Sequence, residues 1–320
     1  TGIVIKSSGI VLTNNHVVAG ATSITVTEVT DGRTFSATVV GYDRSDDIAV
    51  LQLAGASGLP TATLANSSTV GVGDAVVAIG NAGGTGGTPA TVAGRVTALN
   101  QSITASDEGS GAESEQLTGL IQTNANIQPG DSGGPLVNTS GDVVGMDTAA
   151  SSNFQFDQGS SSSSQGFSIP INQALSIAKQ ISAGNATSDI HIGQTAFLGV
   201  EVGSSSSSSS GNGGLGEIPG FGNGSSGSNG TNGGEGSSGS GSSVQGAYID
   251  AVPTGTPASS AGLEAGDTIT AVNGQAVTSP SGLTKVMLQQ KPGDKVSVTY
   301  TDSNGNSQTV QVTLASGPPQ

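Results

Sequence analysis

The run Gly130-Asp131-Ser132-Gly133-Gly134-Pro135 is the most informative stretch of this 320-residue chain. A serine hydroxyl is a poor nucleophile unless a base takes its proton and nearby donors stabilise the resulting oxyanion. Glycines on both sides of Ser132 let the backbone turn sharply, so that amide N–H groups point at one spot. We therefore expect Ser132 to be a nucleophile, with the amides of Gly130 and Ser132 as an oxyanion hole. The alternative is a glycine-rich turn that holds a serine by chance.

The base for such a serine must be one of two histidines, because the chain contains His16 and His191 and no others. His16 directly follows an early apolar run, in Thr13-Asn14-Asn15-His16-Val17. His191 stands between two isoleucines in the joint between the two halves of the chain. A lone histidine is commonly structural, and we interpret His191 in that way and His16 as the base.

An acid must orient the imidazole and stabilise its cation. Three aspartates, Asp43, Asp46 and Asp47, lie close together in the sequence. Asp47 directly precedes the apolar run Ile48–Leu51, so its carboxylate can point into a buried site while Asp46 faces the other way. Asp43 is better explained as a turn residue or a partner for Arg44. The chain order histidine, aspartate, serine is that of the chymotrypsin arrangement, and it differs from the subtilisin and α/β-hydrolase orders.

Short β-rich runs alternate with turn clusters through the first part of the chain. Strands at this spacing, without helices between them, indicate antiparallel barrels or sandwiches and not a parallel α/β sheet. Only Ile171–Ala183 has an apolar stripe with helical periodicity, and Gly184 supplies a stop signal. The predicted strands are Ile3–Leu12, Ser23–Val29, Phe35–Tyr42, Ile48–Leu53, Ala75–Ile79, Gly94–Leu99, Leu120–Gln122, Leu136–Val137, Val143–Met146 and Gly166–Ile169.

The segment Gly203–Ser243, called the insert below, is almost wholly Gly, Ser and Asn. It cannot bury enough apolar surface to order itself, so we predict a disordered segment. The apolar run Phe197–Val202 is too short to stand alone, and we expect it to join the sheet beyond the insert. That sheet is predicted from strands Gln245–Val252, Thr268–Val272, Lys295–Thr301 and Gln308–Leu314, with helices Ala258–Leu263 and Ser281–Gln290.

The composition excludes several classes of function. With 8 basic and 23 acidic residues the net charge is −15, so the chain would repel nucleic-acid phosphates. No apolar run approaches the roughly 18 residues that a membrane helix needs. The absence of cysteine removes disulfides and thiolate chemistry, and two histidines alone argue against a structural zinc site. We expect neither a metal nor a cofactor.

With these motifs the sequence resembles the HtrA/DegP serine proteases, which are trypsin-like exported bacterial enzymes with PDZ domains. The resemblance covers the chain except the insert. It is carried by Leu12–Val18, Asp47–Leu51, Ile79-Gly80-Asn81, Ile121–Leu136 and Gly166–Pro170. By this match His16 is the general base, Asp47 its orienting acid and Ser132 the nucleophile.

The resemblance also implies the fold and its division. It implies a mostly β protein: a chymotrypsin-like double antiparallel β-barrel, its first strand missing from this chain, followed by a PDZ domain with a long Gly/Ser-rich insert. The trypsin-like domain would span residues 1–184 and the PDZ domain residues 185–320, interrupted by the insert at 203–243.

The substrate side chain is expected to bind beside the nucleophile. Asn126 stands six residues before Ser132, where a trypsin-type pocket would carry aspartate. Without that anion we expect cleavage after small or medium apolar residues, not after Lys or Arg. The residues predicted to line this pocket are Asn126, Gln165, Gly166, Phe167, Ser168 and Ile169.

The run Pro257–Gly274 closely resembles PDZ domains of the same family, and PDZ domains bind an extended peptide as an added strand. Phe197-Leu198-Gly199-Val200 is similar to their carboxylate-binding loop, whose amides hold a C-terminal carboxylate. Three apolar residues of the last predicted helix either complete the groove or belong to the core: Leu283, Val286 and Met287.

The sequence therefore indicates an exported serine endopeptidase that degrades unfolded or damaged proteins, as the family implies. The expected partners are unfolded polypeptides and C-terminal peptides, with a homotrimer in the full-length protein because the family trimerises through its N-terminal region. We expect an extracellular or cell-envelope location on the periplasmic side, with a signal or anchor segment missing from this chain. The alternatives are a non-proteolytic PDZ-dependent binding protein or chaperone, and a surface adhesin with a low-complexity stalk.

Overall fold

The computed structural model describes residues 1–84, 86–105, 115–148, 165–203 and 245–319. Up to residue 192 it contains twelve strands and two α-helices within those ranges. The strands are β1 (Ile3–Lys6), β2 (Ile10–Thr13), β3 (Ile24–Thr27), β4 (Thr34–Asp43), β5 (Ile48–Leu53), β6 (Ala75–Gly80), β7 (Ala90–Ala105), β8 (Glu115–Thr123), β9 (Pro135–Asn138), β10 (Val143–Thr148), β11 (Gly166–Pro170) and β12 (Ile190–Ile192). The helices are α1 (Asn15–Val18) and α2 (Ile171–Ser182).

The first structural unit is a six-stranded antiparallel sheet with the order β1-β2-β5-β4-β12, in which β3 pairs with β4. The run predicted as one strand, Ile3–Leu12, is a hairpin of two strands. Its turn contains Gly9 with φ +89°, where an added Cβ would lie only 2.6 Å from the side chain of Ala56. A side chain would collide there, so the glycine ends the first strand and starts the return.

The second unit is a closed barrel of six antiparallel strands with the order β10-β11-β8-β7-β6-β9. The long β7 pairs with β6 along its first part and with β8 along its second, and the register to β8 shifts at three points. These irregularities let one strand bend around the barrel. Buried side chains of the barrel interior are Val76, Ala78, Val96, Ile121, Ala125, Leu136 and Val144.

An apolar core lies between the sheet and the barrel, and helix α2 packs against it. The predicted helix is confirmed: it ends at Ser182, and Gly184 follows with φ +75°. The core combines Leu12, Ile48 and Val50 of the sheet, Met146, Phe167 and Ile169 of the barrel, and the buried helical stripe Ile171, Ala174, Ile177, Ala178 and Ile181. This shared core fixes the two units to each other, so residues at their common edge have defined positions.

The third unit follows β12 and has its own apolar core. Its strands are β13 (Thr195–Phe197), β14 (Glu201–Gly203), β15 (Ala247–Ala251), β16 (Thr268–Val272), β17 (Gln275–Ala276), β18 (Lys295–Thr301), β19 (Ser307–Thr313) and β20 (Ala315–Gly317). Its helices are α3 (Pro257–Ala261) and α4 (Pro280–Met287). Five strands form a sheet with the order β14-β15-β16-β18-β19, β17 pairs with β16, and β13 pairs with β20.

The two strands that flank the insert are neighbours in this sheet. Strand β14 pairs antiparallel with β15, with Val202 opposite Ile249 and Gly203 opposite Tyr248. The run Phe197–Val202 therefore does join the sheet beyond the insert, although it is split into two strands around Gly199. Apart from Gly203, the insert lies outside the described residues. None of the described helices is long and apolar enough to cross a membrane.

Candidate active site

His16 is held at two points by one carboxylate. It lies on the single-turn helix α1, directly after β2. Its main-chain N–H donates to Oδ1 of Asp47 over 3.0 Å, and its ring Nδ1 lies 2.8 Å from Oδ2. A carboxylate can only accept, so Nδ1 carries a proton, and in the neutral ring Nε2 is then the acceptor. An imidazole fixed in this tautomer has the form that a general base requires.

Asp47 is itself tightly held. It is 4% exposed and has φ +53°, a left-handed conformation that aspartate tolerates better than most residues. The Asn14 side-chain amide donates to the main-chain oxygen of Asp47 over 3.0 Å. The hydroxyl of Thr148 donates to Oδ2 over 3.3 Å. Sequence reasoning missed both partners: Asn14 lies two residues before His16, a proximity that could have drawn attention to it, whereas nothing in the sequence singles out Thr148.

The two other aspartates of the cluster do not contact His16 in the described hydrogen bonds. Asp43 accepts from the Ser45 hydroxyl and from the Asp46 amide, as a turn residue does. Asp46 accepts from the side chain of Gln173 on α2 over 2.7 Å. Burial, followed by the negative charge of Asp43, raises the pKa of Asp46. Of the three carboxylates, Asp47 is thus the one placed to orient the imidazole.

The loop around Ser132 is fixed by main-chain hydrogen bonds to β10. The Gly133 amide donates to the oxygen of Asp147 over 2.8 Å, and the Asp147 amide donates to the oxygen of Gly134 over 2.7 Å. Gly130 and Gly133 both have positive φ, +99° and +81°. An added Cβ on Gly133 would collide with Oγ1 of Thr13, three residues before His16. The glycines are therefore required by the turn and by its close approach to the end of β2.

Two consecutive residues of β10 connect the halves of the site. The main chain of Asp147 holds Gly133, and the side chain of Thr148 holds Asp47. The loop Gly130–Gly134, which carries the predicted nucleophile Ser132 and is called the nucleophile loop below, is thereby attached to the same strand end as the His16–Asp47 pair. No described residue accepts a hydrogen bond from the Gly130 amide, so this donor remains available for an oxyanion.

A buried carboxyl group lies beneath the nucleophile loop. Asp147 is 0% exposed, and its Oδ1 accepts a hydrogen bond from the hydroxyl of Ser168 over 2.7 Å. Burial raises the pKa of Asp147 well above its usual range. The Ser168 hydroxyl opposes that shift, whereas the negative charge of Asp131 adds to it. Sequence reasoning did not identify Asp147, because no motif marks it.

The residues predicted for the substrate pocket lie in different environments. Asn126 and Gln165 are exposed. Gly166 packs closely on the preceding loop, since an added Cβ would lie 2.7 Å from the Ala125 oxygen and from the side chain of Ile127. Ile127 was not predicted, although it adjoins Asn126 in the chain. The predicted role of this segment in substrate binding is developed below.

The other three predicted pocket residues are buried in β11. Phe167 and Ile169 belong to the core between the sheet and the barrel. Ser168 is 0% exposed and donates to Asp147. Their part in a substrate pocket stays a prediction. In the structure these three buried side chains stabilise the barrel next to the candidate site.

The predicted carboxylate-binding loop lies against the start of α3. The Ala258 amide donates to the oxygen of Leu198 over 2.9 Å. Gly199 has φ +84°, and an added Cβ would collide with the side chain of Thr256. Val200, the last residue of the loop, is partly buried and packs against the core of the third unit. The loop leads directly into β14. Among the described residues β14 pairs only with β15, so its other edge lies beside the loop.

The three groove candidates on α4 are buried. Leu283, Val286 and Met287 are 5%, 3% and 7% exposed and lie in the core of the third unit. Their side chains stabilise that core, and a role in a groove stays a prediction.

His191 occupies a structural environment. Its two ring nitrogens each lie 3.2 Å from a main-chain oxygen, that of Leu288 for Nδ1 and that of Gln194 for Nε2. Its ring also packs on that of Tyr42, with centroids 5.1 Å apart. Within the described ranges no group of three or more His, Cys, Asp or Glu side chains is arranged to bind a metal ion.

Comparison with known families agrees with this geometry. Residues 1–146 match the family described as the trypsin-like peptidase domain. Residues 196–314 match the PDZ domain, a range that contains the insert.

Named relatives extend over nearly the whole chain. The chain is 34% identical to the serine protease PepD of Mycobacterium tuberculosis over 325 residues, which cover 98% of the chain and 60% of the relative. It is 32% identical to the serine protease Do-like HtrA of Lactococcus lactis, covering 98% of the chain and 70% of the relative. It is 31% identical to the periplasmic serine endoprotease DegP of Escherichia coli, covering 93% of the chain and 53% of the relative. The chain spans about three fifths of the first relatives that it matches. With a trypsin-like peptidase domain followed by a PDZ domain, this chain belongs to the HtrA/DegP family of serine proteases.

Proposed function

We propose that the chain is the catalytic and peptide-recognition part of a serine endopeptidase, with Ser132 as nucleophile, His16 as general base and Asp47 as its orienting acid. The observation that carries this proposal is the two-point hold of Asp47 on His16. It orients the ring so that, in the neutral imidazole, Nε2 is the acceptor. His16 follows the end of β2, which closely approaches the loop of Ser132 at Gly133.

The reaction follows from these positions. Ser132 Oγ attacks the peptide carbonyl while His16 Nε2 takes its proton, and Asp47 stabilises the imidazolium that forms. The amides of Gly130 and Ser132 donate to the oxyanion. His16 then returns the proton to the leaving amine, and water hydrolyses the acyl-enzyme by the same route.

The substrate class follows from the absence of a carboxylate at the expected specificity position. Asn126 is neutral, and Gly166 and Ile127 next to it offer an apolar, narrow surface. A neutral, narrow pocket favours a small or medium apolar side chain before the scissile bond. Unfolded or damaged polypeptides expose such residues in extended chains, whereas folded proteins bury them.

The PDZ unit supplies a second peptide site. We infer that a C-terminal peptide adds as a strand to the outer edge of β14, with its carboxylate at the amides of residues 197–200. The positive φ of Gly199 and its close contact with Thr256 support this assignment, because both set the direction of those amides. Gly199→Ala should abolish binding of a C-terminal peptide. Gly274→Ala, at a similar φ of +76° with open space around it, is the matched control and should bind normally.

The domain limits, cellular location and assembly belong to the same proposal. We place the protease domain at residues 1–184 and the PDZ domain at 185–320. The insert belongs to the PDZ domain, since the PDZ match spans it and β14 pairs with β15 across it. Strand β12, within the second range, nevertheless pairs with β4 of the first sheet. The name of the E. coli relative, a periplasmic serine endoprotease, supports an exported protein of the cell envelope. Unfolded or damaged exported proteins as its substrates are part of the proposal. A homotrimer of the full-length protein remains part of the proposal.

The deciding experiment compares the full-length protein with its Ser132→Ala variant. We expect the parent to cleave casein mainly after small apolar residues, as read by mass spectrometry of the fragments, and to react with a fluorophosphonate at Ser132. Ser132→Ala should lose both, with hydrolysis lower by several orders of magnitude. Ser140→Ala, an exposed serine in the turn after β9, is the control and should keep both. Equal cleavage by parent and Ser132→Ala would overturn the assignment.

A non-proteolytic peptide-binding function is the alternative. The separate core of the PDZ unit would allow such binding, but the relatives, which are named as serine proteases, do not favour it. Normal binding of C-terminal peptides by a full-length protein that neither cleaves casein nor reacts with fluorophosphonate would establish it.

A further inference from the structure

The Gly130 amide lies in the middle peptide of a tight turn formed by residues 128–131. The Asp131 amide donates to the oxygen of Gln128 over 2.9 Å and closes the turn. Pro129 and Gly130 occupy the two central positions, and Gly130 has φ +99°. This is a type II turn, because a type I turn needs negative φ at both central positions. The two types differ in the direction of the middle peptide, so the turn type decides where the Gly130 N–H points.

A neighbouring loop holds the oxygen of that middle peptide. The oxygen belongs to Pro129 and accepts from the Gly83 amide over 2.9 Å. Gly83 lies in the loop of residues 81–84 that follows β6, called the β6 loop below. The described residues contain no cis peptide bond, and in a trans peptide the C=O and N–H groups point in opposite directions. The bond from Gly83 therefore directs the Gly130 N–H away from the β6 loop and favours the type II turn.

The side chain of Thr1 joins the β6 loop to this turn. Its Oγ1 accepts from the Asn81 amide over 3.0 Å and donates to the Gly130 oxygen over 2.7 Å. The Asn81 amide reaches the Gly130 oxygen directly only over 3.3 Å. The approach of the two segments is close, since an added Cβ on Gly130 would collide with the Asn81 oxygen. The Thr1 hydroxyl thus provides the shorter of the two connections between the β6 loop and the turn.

The main chain of Thr1 is itself held by residues of the candidate site. Its oxygen accepts from the hydroxyl of Thr13 over 2.7 Å. Thr13 is 2% exposed and ends β2, three residues before His16. The main-chain nitrogen of Thr1 donates to the Ser132 oxygen over 2.8 Å. The hydroxyl of Thr1 therefore starts from a fixed position next to the nucleophile loop.

We propose that Thr1 is a positioning residue for the oxyanion hole: its hydroxyl holds the β6 loop against the turn, so that the Gly130 amide faces the reacting carbonyl. Without the hydroxyl, Asn81 and Gly130 lose their common partner and the bond from Gly83 is weakened. Glycine adopts either sign of φ at little cost, so the turn can change to type I with its N–H reversed. This inference rests on the proposed function of Ser132.

The expected kinetic effect is confined to the chemical step. The oxyanion forms only as the peptide carbonyl is attacked, so a misplaced donor raises the barrier without weakening the binding of substrate. In the full-length protein Thr1→Val keeps the branched shape and removes the hydroxyl. Its kcat should fall by about threefold to tenfold, as expected for the loss of one neutral hydrogen bond, with KM unchanged.

A second readout follows the oxyanion hole directly. A peptide aldehyde forms a reversible hemiacetal with the nucleophile, and the oxygen of this adduct takes the place of the oxyanion. Its inhibition constant should therefore rise in Thr1→Val by the same factor as kcat falls. A purely structural role of Thr1 would lower the melting temperature and leave this constant unchanged.

Two variants serve as matched controls. Thr1→Ser keeps the hydroxyl and should retain kcat within about twofold of the parent's. Thr69→Val removes a hydroxyl that also donates to a main-chain oxygen, that of Asn66 over 2.8 Å, and should retain the parental kinetics. Parental kcat in Thr1→Val, an equal loss in Thr1→Ser, or a change in KM alone would each overturn the role of the Thr1 hydroxyl.

The β6 loop can be tested without changing Thr1, which also covers the case in which Thr1→Val does not fold. Gly83 has φ +73° with open space around it, so Gly83→Ala strains only the backbone that presents its amide, and kcat should fall. Gly141→Ala is the control: it has φ +83° and open space, and its amide donates to the Asn138 oxygen away from the site. Parental kcat in Gly83→Ala would overturn the part of the β6 loop. If Ser132→Ala keeps activity, the proposed function fails instead; if it loses activity while Thr1→Val keeps it, only this inference fails.

Discussion

The hydroxyl of Thr148, on the barrel, donates to Oδ2 of Asp47, on the first sheet, across 3.3 Å. The same Oδ2 receives the ring Nδ1 of His16 at 2.8 Å. Because Thr148 follows Asp147, whose main chain binds Gly133 and Gly134, one strand end is hydrogen-bonded both to Asp47 and to the loop that carries Ser132. The proposed catalytic geometry therefore depends on the packing between the two units as well as on His16, Asp47 and Ser132 themselves.

Replacing Thr148 with valine should weaken catalysis without unfolding the protein. Valine keeps the branched shape and removes the donor. A hydrogen bond to a charged group contributes about 1.5 to 3 kcal/mol. At 3.3 Å we take the lower value, which corresponds to a fall of about tenfold in kcat. Thr148→Ser, which keeps the hydroxyl, should restore most of the rate, and identical kinetics for Val and Ser would contradict the role of this bond.

Asp47→Asn should cause a far larger loss. The asparagine amide presents a donor to the ring and favours the tautomer in which Nε2 carries the proton, so that the base is blocked. The expected fall in kcat is about 10⁴. Asparagine also tolerates the left-handed backbone of this position, so the far-UV circular dichroism should not change.

Asp46→Asn is the matched control for that prediction. It changes the neighbouring residue in the same way, but its partner is Gln173 on α2. Its kcat should remain within about twofold of the parent's, since Asp46 contacts neither His16 nor the nucleophile loop in the described hydrogen bonds. A loss comparable to that of Asp47→Asn would show that the acid was assigned to the wrong aspartate.

Local patterns were sufficient to predict most of the β-strands and the long helix. Runs of β-branched residues between turn signals mark β4, β5 and β10, and the apolar stripe from Ile171 marks α2. The short helix α1 was not predicted, because a single turn has too few residues for a periodic signal. Strand β12 was also missed, since its three residues are fixed by pairing with β4, a contact distant in sequence.

In the candidate site, too, residues that stand in a local sequence pattern could be predicted, whereas residues placed by contacts distant in sequence could not. Ser132 and His16 stand in local motifs that carry their chemistry, and Asp47 could be selected by its position at the start of an apolar strand. Thr148 and Asp147 have roles that exist only through contacts made by the fold, about 100 residues away for Thr148. Sequence spacing carries no information on such contacts, whereas the closed barrel defines them.

His191→Ala should lower the stability of the protein without lowering kcat. The ring packs on Tyr42 and lies within 3.2 Å of the oxygens of Leu288 and Gln194, so its loss should lower the free energy of unfolding by about 1 to 3 kcal/mol. No described contact links it to Asp47 or Ser132, and kcat of the folded variant should stay within about twofold of the parent's. Chemical denaturation and peptide hydrolysis at low temperature measure the two effects. A fall in kcat as large as that of His16→Ala would show that the base had been assigned to the wrong histidine.

Shortening the insert should leave the PDZ unit intact. The strands on either side of it are paired, with Gly203 opposite Tyr248. Asn-Gly in place of residues 204–243, followed by the retained residues 244–247, makes a six-residue connection that can join them. The cost of closing a loop rises by about 0.6 kcal/mol per doubling of its length, and the shortened protein should gain at most about 2 to 3 kcal/mol of stability. Calorimetry should report an unchanged or higher melting temperature, and titration should report unchanged affinity for a C-terminal peptide.

A control that keeps the length but scrambles the order of the insert should behave as the parent. Loss of peptide binding in the shortened protein, with binding kept in the scrambled one, would mean that the insert is a tether whose length the PDZ unit requires.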